Sequence, residues 1–341
     1  MAFGFQKTET VYMNDSFNPE TGKWENDGEF LSPDDPKLMI HFASYGVNYG
    51  NSIFEGVKAY RGPDGKIRLF RIDENGKRFA RSAKGILMPD VPVELFVQKT
   101  KELVKQNASY IPDYEPDPNQ RGSLYIRPIL CGEAGLGVKK SNKPKFIIFC
   151  SHVGPYYATG FKPLHGYTIH DMVRAMPGGH GSFKTGANYV MSMLATNEAH
   201  KHGCQEAIWL DGMLHEYVEE LSACNFMARF GNKVVTPALS DTILAGITRK
   251  SILELARTSL KLEVEERPLP LEEVLSDADE TFGCGTAAVI TPIGKITAYR
   301  GRFTREITKD VGELSQKLYD MLTGIQWGVE EDSYHWTTIV D

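Results

Sequence analysis

The sequence predicts a mixed α/β or α+β fold in two domains. Three observations lead there. The chain has 341 residues, enough for two hydrophobic cores. Short strand-like runs recur, separated by turn pairs such as Asp64-Gly65, Asp211-Gly212 and Gly231-Asn232. Between them lie stretches with apolar residues at helical spacing. These are Val93, Phe96, Val97, Leu103 and Val104; Ile252, Leu255 and Ala256; and Val311, Leu314, Leu318, Met321, Leu322 and Ile325.

Composition narrows the function classes. At 41% hydrophobic and 24% charged residues the chain reads as a soluble globular protein. A net charge of -6 and the lack of a basic run argue against nucleic-acid binding. Cys131, Cys150, Cys204, Cys224 and Cys284 are scattered, with no CxxC pair and no zinc spacing. That pattern suits a reducing cytoplasm, and no metal site is expected. Residues 1–8 lack a signal-peptide core, and the apolar run Phe146–Cys150 is too short to span a membrane.

In chain order, residues 8–45 read as strands and turns. The Asp64-Gly65 turn between the runs at 49–60 and 67–70 predicts a hairpin. Arg71, Lys77, Arg78 and Arg81 follow on a helix, and a second helix covers 92–111. Ser123–Leu130 reads as a strand carrying Arg127 among apolar neighbours; if buried, that arginine needs an anion. A strand at 146–150 and a connector at 153–160 end the first half. The second half begins near residue 166, with strands at 206–210, 213–218 and 234–236. Residues 240–249 lead into a helix whose free N–H groups favour an anion. A glycine-rich turn beside a strand at 281–292 and a final helix follow.

The stretch Pro177–Tyr189 sets Lys184 among glycines and small polar residues. Glycine lets a backbone turn tightly and approach a ligand closely. A lysine there can hold a phosphate or act as an amine nucleophile. A P-loop requires glycine immediately before its lysine, and here that residue is Phe183. An ordinary surface loop is the remaining bland reading.

Seven segments, in this order, resemble the branched-chain-amino-acid aminotransferases, fold-type IV enzymes that use pyridoxal 5'-phosphate (PLP). They are Tyr49 with Phe54-Glu55-Gly56-Val57-Lys58-Ala59-Tyr60, Leu69-Phe70-Arg71 with Arg78, Tyr125-Ile126-Arg127-Pro128, Phe183–Tyr189, Glu220 with Asn225, Ala245–Arg249, and Gly285–Ala288. The resemblance implies a small amino-terminal α/β domain over 1–157, a connector over 158–170 and a larger PLP-binding domain over 171–341. It further implies a cofactor between the domains and a homodimer whose partner's small domain completes the site.

The resemblance also implies roles. Lys184 looks like the lysine that carries the cofactor covalently and moves the substrate proton. Glu220 resembles the carboxylate that keeps the pyridine nitrogen protonated, so that the ring withdraws electrons. Without the resemblance it would be a solvated acid beside Glu219. Tyr189 resembles the tyrosine facing the cofactor's phenolic oxygen; otherwise it is a core tyrosine. Arg78, the N–H groups of Ile247 and Thr248, and Thr286 would meet the phosphate. Thr286, Ala287 and Tyr49 would hold the substrate α-carboxylate. Tyr125 and Tyr156 would line the side-chain pocket, Arg127 would take glutamate's distal carboxylate, and Val138 would come from the partner's loop. Ala223 and Cys224 depart from the family pattern, and the CxxC of some mammalian members is absent.

The implied reaction is ping-pong amino transfer from L-leucine, L-isoleucine or L-valine to 2-oxoglutarate, giving the 2-oxo acid and L-glutamate. Rivals are a D-amino-acid aminotransferase or aminodeoxychorismate lyase, a nucleotide-binding protein using Lys184, and a silent PLP-fold protein.

Overall fold

The computed structural model describes residues 4–118, 120–154 and 160–340. The chain divides into two compact units. One comprises Met1–Ala158, Phe183–Ala187 and Gly324–Asp341; the other comprises Thr159–Ser182 and Asn188–Thr323. The boundary expected at 157/171 put everything after residue 171 in the second domain. Two pieces depart from it, Phe183–Ala187 and the tail, because each hydrogen-bonds to strands of the first unit.

The first unit begins with β1 (Val11–Asn14), a small hairpin β2 (Phe17–Asn18) and β3 (Lys23–Trp24), and β4 (Glu29–Leu31). Then come α1 (Tyr45–Tyr49), β5 (Ser52–Phe54), β6 (Val57–Arg61), β7 (Ile67–Phe70), α2 (Ile72–Gly85) and α3 (Val93–Gln106). The long pair β8 (Ser123–Cys131) and β9 (Lys145–Val153) follows. With the tail strand β20 (Thr337–Val340) the sheet order is β20-β7-β6-β8-β9-β1-β4, and β5 also pairs with β8.

The Asp64-Gly65 turn forms the expected hairpin: Gly62 N–H donates to the Lys66 carbonyl, and Gly65 takes a φ of 75° that glycine tolerates. Along β8 the faces alternate. Leu124, Ile126 and Leu130 are buried, in one core with Phe79 of α2, Phe96 of α3 and Phe146 of β9. Tyr125 and Arg127 therefore stand on the opposite face, half-buried.

The second unit contains β10 (Leu164–Ile169), α4 (Asn188–Lys201), β11 (Glu206–Leu210), β12 (Tyr217–Leu221), β13 (Asn225–Phe230) and β14 (Lys233–Thr236). It continues through α5 (Ile247–Thr258), β15 (Glu263–Glu266), β16 (Leu269–Pro270), α6 (Leu271–Asp277), β17 (Glu280–Gly285), β18 (Val289–Ala298), β19 (Phe303–Glu306) and α7 (Glu313–Trp327), whose last turn belongs to the first unit. The strand order β13-β17-β18-β10-β11-β12 closes on itself, because β12 also pairs with β13 at Glu220 and Asn225. Ala195 and Ala199 are small enough to seat α4 against Tyr167 and Trp209. The 281–292 stretch, read from sequence as a turn beside a strand, is the β17–β18 hairpin. Among the described residues no helix is long and apolar enough to cross a membrane.

Candidate active site

Backbone pairing holds Lys184 from both sides. Its carbonyl accepts from Phe54 N–H at 3.0 Å, and its own N–H donates to Ser82 Oγ at 3.0 Å. Next to it Thr185 bridges to Ile53, and Gly186 N–H donates to the Ser52 carbonyl. The lysine thus lies beside β5 like a short extra strand. Phe183, the residue that breaks the P-loop pattern, packs over the end of α2. A Cβ on Gly85 would come within 2.5 Å of its ring.

Cations and aromatic rings gather on this part of the first unit. Lys184 Nζ stands 4.8 Å from the centre of the Phe54 ring, and the Arg127 guanidinium stands 4.7 Å from the same ring. Arg127 also reaches Tyr125 Oη at 3.4 Å, while its buried Nε has no hydrogen-bond partner. That unmet donor marks where an anion would be stabilised. Lys58 lies opposite Tyr125 in register, and burial pushes its amine down to about 8.

Glu55 is fully buried. It accepts from Arg78 Nε at 2.7 Å, Arg78 Nη2 at 2.9 Å and Asn75 Nδ2 at 2.8 Å. Burial alone would raise its carboxyl. The Arg78 guanidinium, the Lys184 charge and Asn75 outweigh burial and hold it below its ordinary value. Arg78, expected at the phosphate, is thus oriented on α2 by a buried carboxylate that the sequence reading left without a role. Tyr49 is exposed and accepts from Gly137 N–H at 3.0 Å; Val138 is almost wholly exposed. Tyr156 lies outside the described residues.

In the second unit Glu220 is a buried carboxylate held from several sides. Its Oε1 accepts from Asn225 Nδ2 and Leu244 N–H, each at 2.9 Å, and its Oε2 pairs with Arg174 Nη2 at 2.8 Å. Asn225 also donates to the Leu244 carbonyl at 2.8 Å. The ring-closing pair of β12 and β13 therefore fixes this side chain. Side chains alternate along a strand, and Glu219 beside Glu220 is half-buried rather than fully solvated. It accepts from Thr242 Oγ1, its Oε2 is buried without a partner, and burial pushes its carboxyl up to about 7.

The start of α5 is shaped for an anion. Ile247 and Thr248 are buried, and Gly246 at the N-cap supplies no side chain to satisfy their N–H groups. Only glycine fits there, since a Cβ would meet Asn225 Oδ1 at 1.9 Å. Tyr189 lies in the first turn of α4, half-buried, and Thr286 and Ala287 form the half-buried turn between β17 and β18. Each unit by itself carries residue types that suit a phosphorylated pyridine aldehyde: a backbone-held lysine in the first, and a buried, hydrogen-bonded carboxylate and an uncapped helix start in the second. These residue types fit PLP.

Sequence reasoning missed Glu55 and Arg174. Glu55 lay in a quoted motif, so its signal was present. Nothing in local spacing joins residue 174 to residue 220.

The family pattern for amino-transferase class IV matches residues 52–296. A probable branched-chain-amino-acid aminotransferase of Streptomyces coelicolor is 40% identical over 92% of this chain and 86% of its own length. One of Staphylococcus aureus is 41% identical over 99% of this chain and 93% of its own. The crystal structure of the branched-chain amino acid aminotransferase from Thermobaculum terrenum in its PLP form is similar at a TM-score of 0.80. It is 26% identical and covers 98% of this chain and 99% of that one.

Proposed function

Because this chain belongs to the class IV aminotransferases, and within them to the branched-chain-amino-acid group, we propose that Lys184 is its catalytic lysine. The protein is a PLP-dependent branched-chain-amino-acid transaminase. It transfers the amino group of L-leucine, L-isoleucine or L-valine to 2-oxoglutarate, reversibly and in two half-reactions.

Bound PLP supplies the electron sink for the pair released when the substrate Cα–H bond breaks. The Lys184 amine would be the group that holds the cofactor and that moves the substrate Cα proton. Glu220, paired with Arg174, would face the cofactor's ring nitrogen and hold a proton there. The Tyr189 hydroxyl orients the ring through its phenolic oxygen. Arg78, Thr286 and the N–H groups of Ile247 and Thr248 bind the phosphate. The N–H groups of Thr286 and Ala287, with Tyr49, bind the substrate α-carboxylate. Tyr125 and Tyr156 exclude water from the branched side chain. Arg127, with its unmet Nε, receives the distal carboxylate of glutamate.

We further propose a homodimer in which Val138 of one copy reaches the other's substrate. The exposed apolar residues Met39, Phe42, Val47, Leu136 and Val138 support this. They lie on two segments, one running through α1 and one in the loop after β8, joined by the Gly135 N–H bond to the Ala43 carbonyl and by the Gly137 bond to Tyr49. A cytoplasmic setting, suited to the free thiols of Cys131, Cys150, Cys204 and Cys284, is our reading of compartment, and cell fractionation tests it.

The two-sided backbone clamp on Lys184 carries the catalytic assignment, since it fixes the amine's origin without using the amine itself. The test is the visible spectrum of the purified protein. Wild type should show the band of lysine-bound PLP, and L-leucine alone should bleach it. Lys184→Ala should lack the band and lose turnover by orders of magnitude. A band that responds to a D-amino acid and ignores L-leucine would move the substrate to the D-amino-acid rival. A Lys184→Ala protein that keeps the lysine-bound band would overturn the assignment.

A further inference from the structure

We propose that Arg174 is a positioning residue that holds the Glu220 carboxylate ionised and ties it to the loop leading into the phosphate-facing start of α5. The proposal rests on the reading of Glu220 as the partner of the cofactor's ring nitrogen.

Arg174 precedes the glycine-rich stretch, in a segment with no regular structure. Its guanidinium nonetheless makes three directed contacts. Nη2 pairs with Glu220 Oε2 at 2.8 Å and donates to the Gly181 carbonyl at 3.2 Å. Nη1 donates to the Thr242 carbonyl at 2.7 Å. The side chains of Arg174 and Glu220 are each 5% exposed, so little water competes with the pair. The guanidinium spreads its donors over two nitrogens in a fixed planar fork, and so meets a carboxylate and two carbonyls; a lysine carries its three donors on one compact nitrogen.

The contacts converge on one loop. Thr242 gives its carbonyl to Arg174 and its hydroxyl to Glu219, while Leu244 gives its N–H to Glu220. Asp241 gives its carboxylate to Gly178 N–H and its carbonyl to Ser182 N–H. Four residues beyond Thr242, Gly246 opens α5. One guanidinium therefore couples the orientation of the ring-nitrogen carboxylate to that of the uncapped N–H groups. Its charge matters as much as its shape. A buried carboxylate without its cation prefers to be protonated. The other charged groups near Glu220 do not replace Arg174. Glu219 on β12 is an acid, and the Cys284 thiol on β17 feels both Glu220 and Arg249 of α5 but lies high because it is buried.

The experiment uses the full chain loaded with PLP labelled with 15N in the ring, together with cofactor titration of the apo protein. In wild type the ring-nitrogen shift should report a protonated nitrogen from about pH 6 to pH 9, a span well above the ordinary carboxylate range. In Arg174→Gln that signal should move toward the unprotonated value within the same span. Cofactor affinity should fall at least about tenfold, the loss expected when one partner of a buried charge pair is removed. For leucine, kcat should fall with little change in KM, because other residues hold the substrate carboxylates. Arg174→Lys, which keeps the charge and covers the case of a poorly folded Gln variant, should restore the protonated signal while leaving cofactor binding weakened. An Arg174→Gln protein with a protonated ring nitrogen and wild-type cofactor affinity overturns the proposal. Glu220→Gln separates the two readings. If it too leaves the nitrogen protonated, the assignment of Glu220 fails. If it alone removes the proton, only the role of Arg174 fails.

Discussion

Replacing Gly56 by alanine should inactivate the enzyme while leaving it folded. A Cβ built on Gly56 would stand 2.0 Å from Tyr125 Oη and 2.9 Å from its Cζ. Ordinary contact begins at 3.4 Å, so the phenol must retreat by 3.4 − 2.0 = 1.4 Å. The hydroxyl is the far end of a half-buried side chain, so the ring can swing and the sheet need not break. What is lost is the phenol's place and its 3.4 Å contact with Arg127. A misplacement of about 1 Å near the reacting centre costs on the order of 100-fold, or ~2.7 kcal/mol of barrier. The assay is kcat/KM for L-leucine and for L-glutamate, with the melting temperature measured in parallel. Glutamate should suffer at least as much as leucine, because Tyr125 and Arg127 move together. In the Gly56→Ala/Tyr125→Phe double variant the two losses should not add, since removing the hydroxyl relieves the closest clash. A Gly56→Ala enzyme within about threefold of wild type for both substrates would refute the reasoning, because a displaced phenol could then not be guarding the pocket.

Two further outcomes follow from groups outside the lysine clamp. The Glu219 carboxyl is raised from 4.5 to about 7 in the fold, so the folded chain binds more protons than the unfolded chain between those values. Stability from this group is full below about pH 4.5 and is lost as pH rises through about 7. Denaturant midpoints of wild type should fall across that window more steeply than those of Glu219→Gln, and parallel curves would count against a buried neutral Glu219. The second outcome concerns assembly. Phe42→Asp/Val138→Asp places two charges in the exposed apolar loop surface and should convert a dimer to monomers in sedimentation analysis, with loss of activity. An active wild-type monomer would refute the dimer.

Much of this site was written locally. The Asp64-Gly65 hairpin and the alternation along Ser123–Cys131 are short-range patterns, and the fold reproduces both. The lone arginine among apolar neighbours flagged Arg127, and its unmet Nε now gives that flag a physical content. Pairings distant in sequence were not legible. No periodicity tells Phe183–Ala187 to lie beside β5, or tells Thr337–Val340 to seek Ile67–Phe70. The closure of a ring of strands at Glu220 and Asn225 is likewise a property of topology. Arg174 shows the limit most clearly. Its segment has no pattern of its own, and its meaning resides in a carboxylate many residues away.

The return of the tail strand to the first sheet has a bearing on biosynthesis. Thr337–Val340 covers the edge of Ile67–Phe70, yet the whole of the strand ring is encoded between them. A ribosome therefore delivers every residue of the second unit before it releases the strand that finishes the first. During that interval the edge of Ile67–Phe70 that faces away from β6 has no native neighbour, and such an edge templates pairing between nascent chains. The second unit's ring is encoded without interruption except for Phe183–Ala187, so it can close first and the amino-terminal sheet last. Expression of a chain lacking Thr337–Val340 would leave that edge open permanently, and its cost would appear as aggregated chains during synthesis before any effect on turnover.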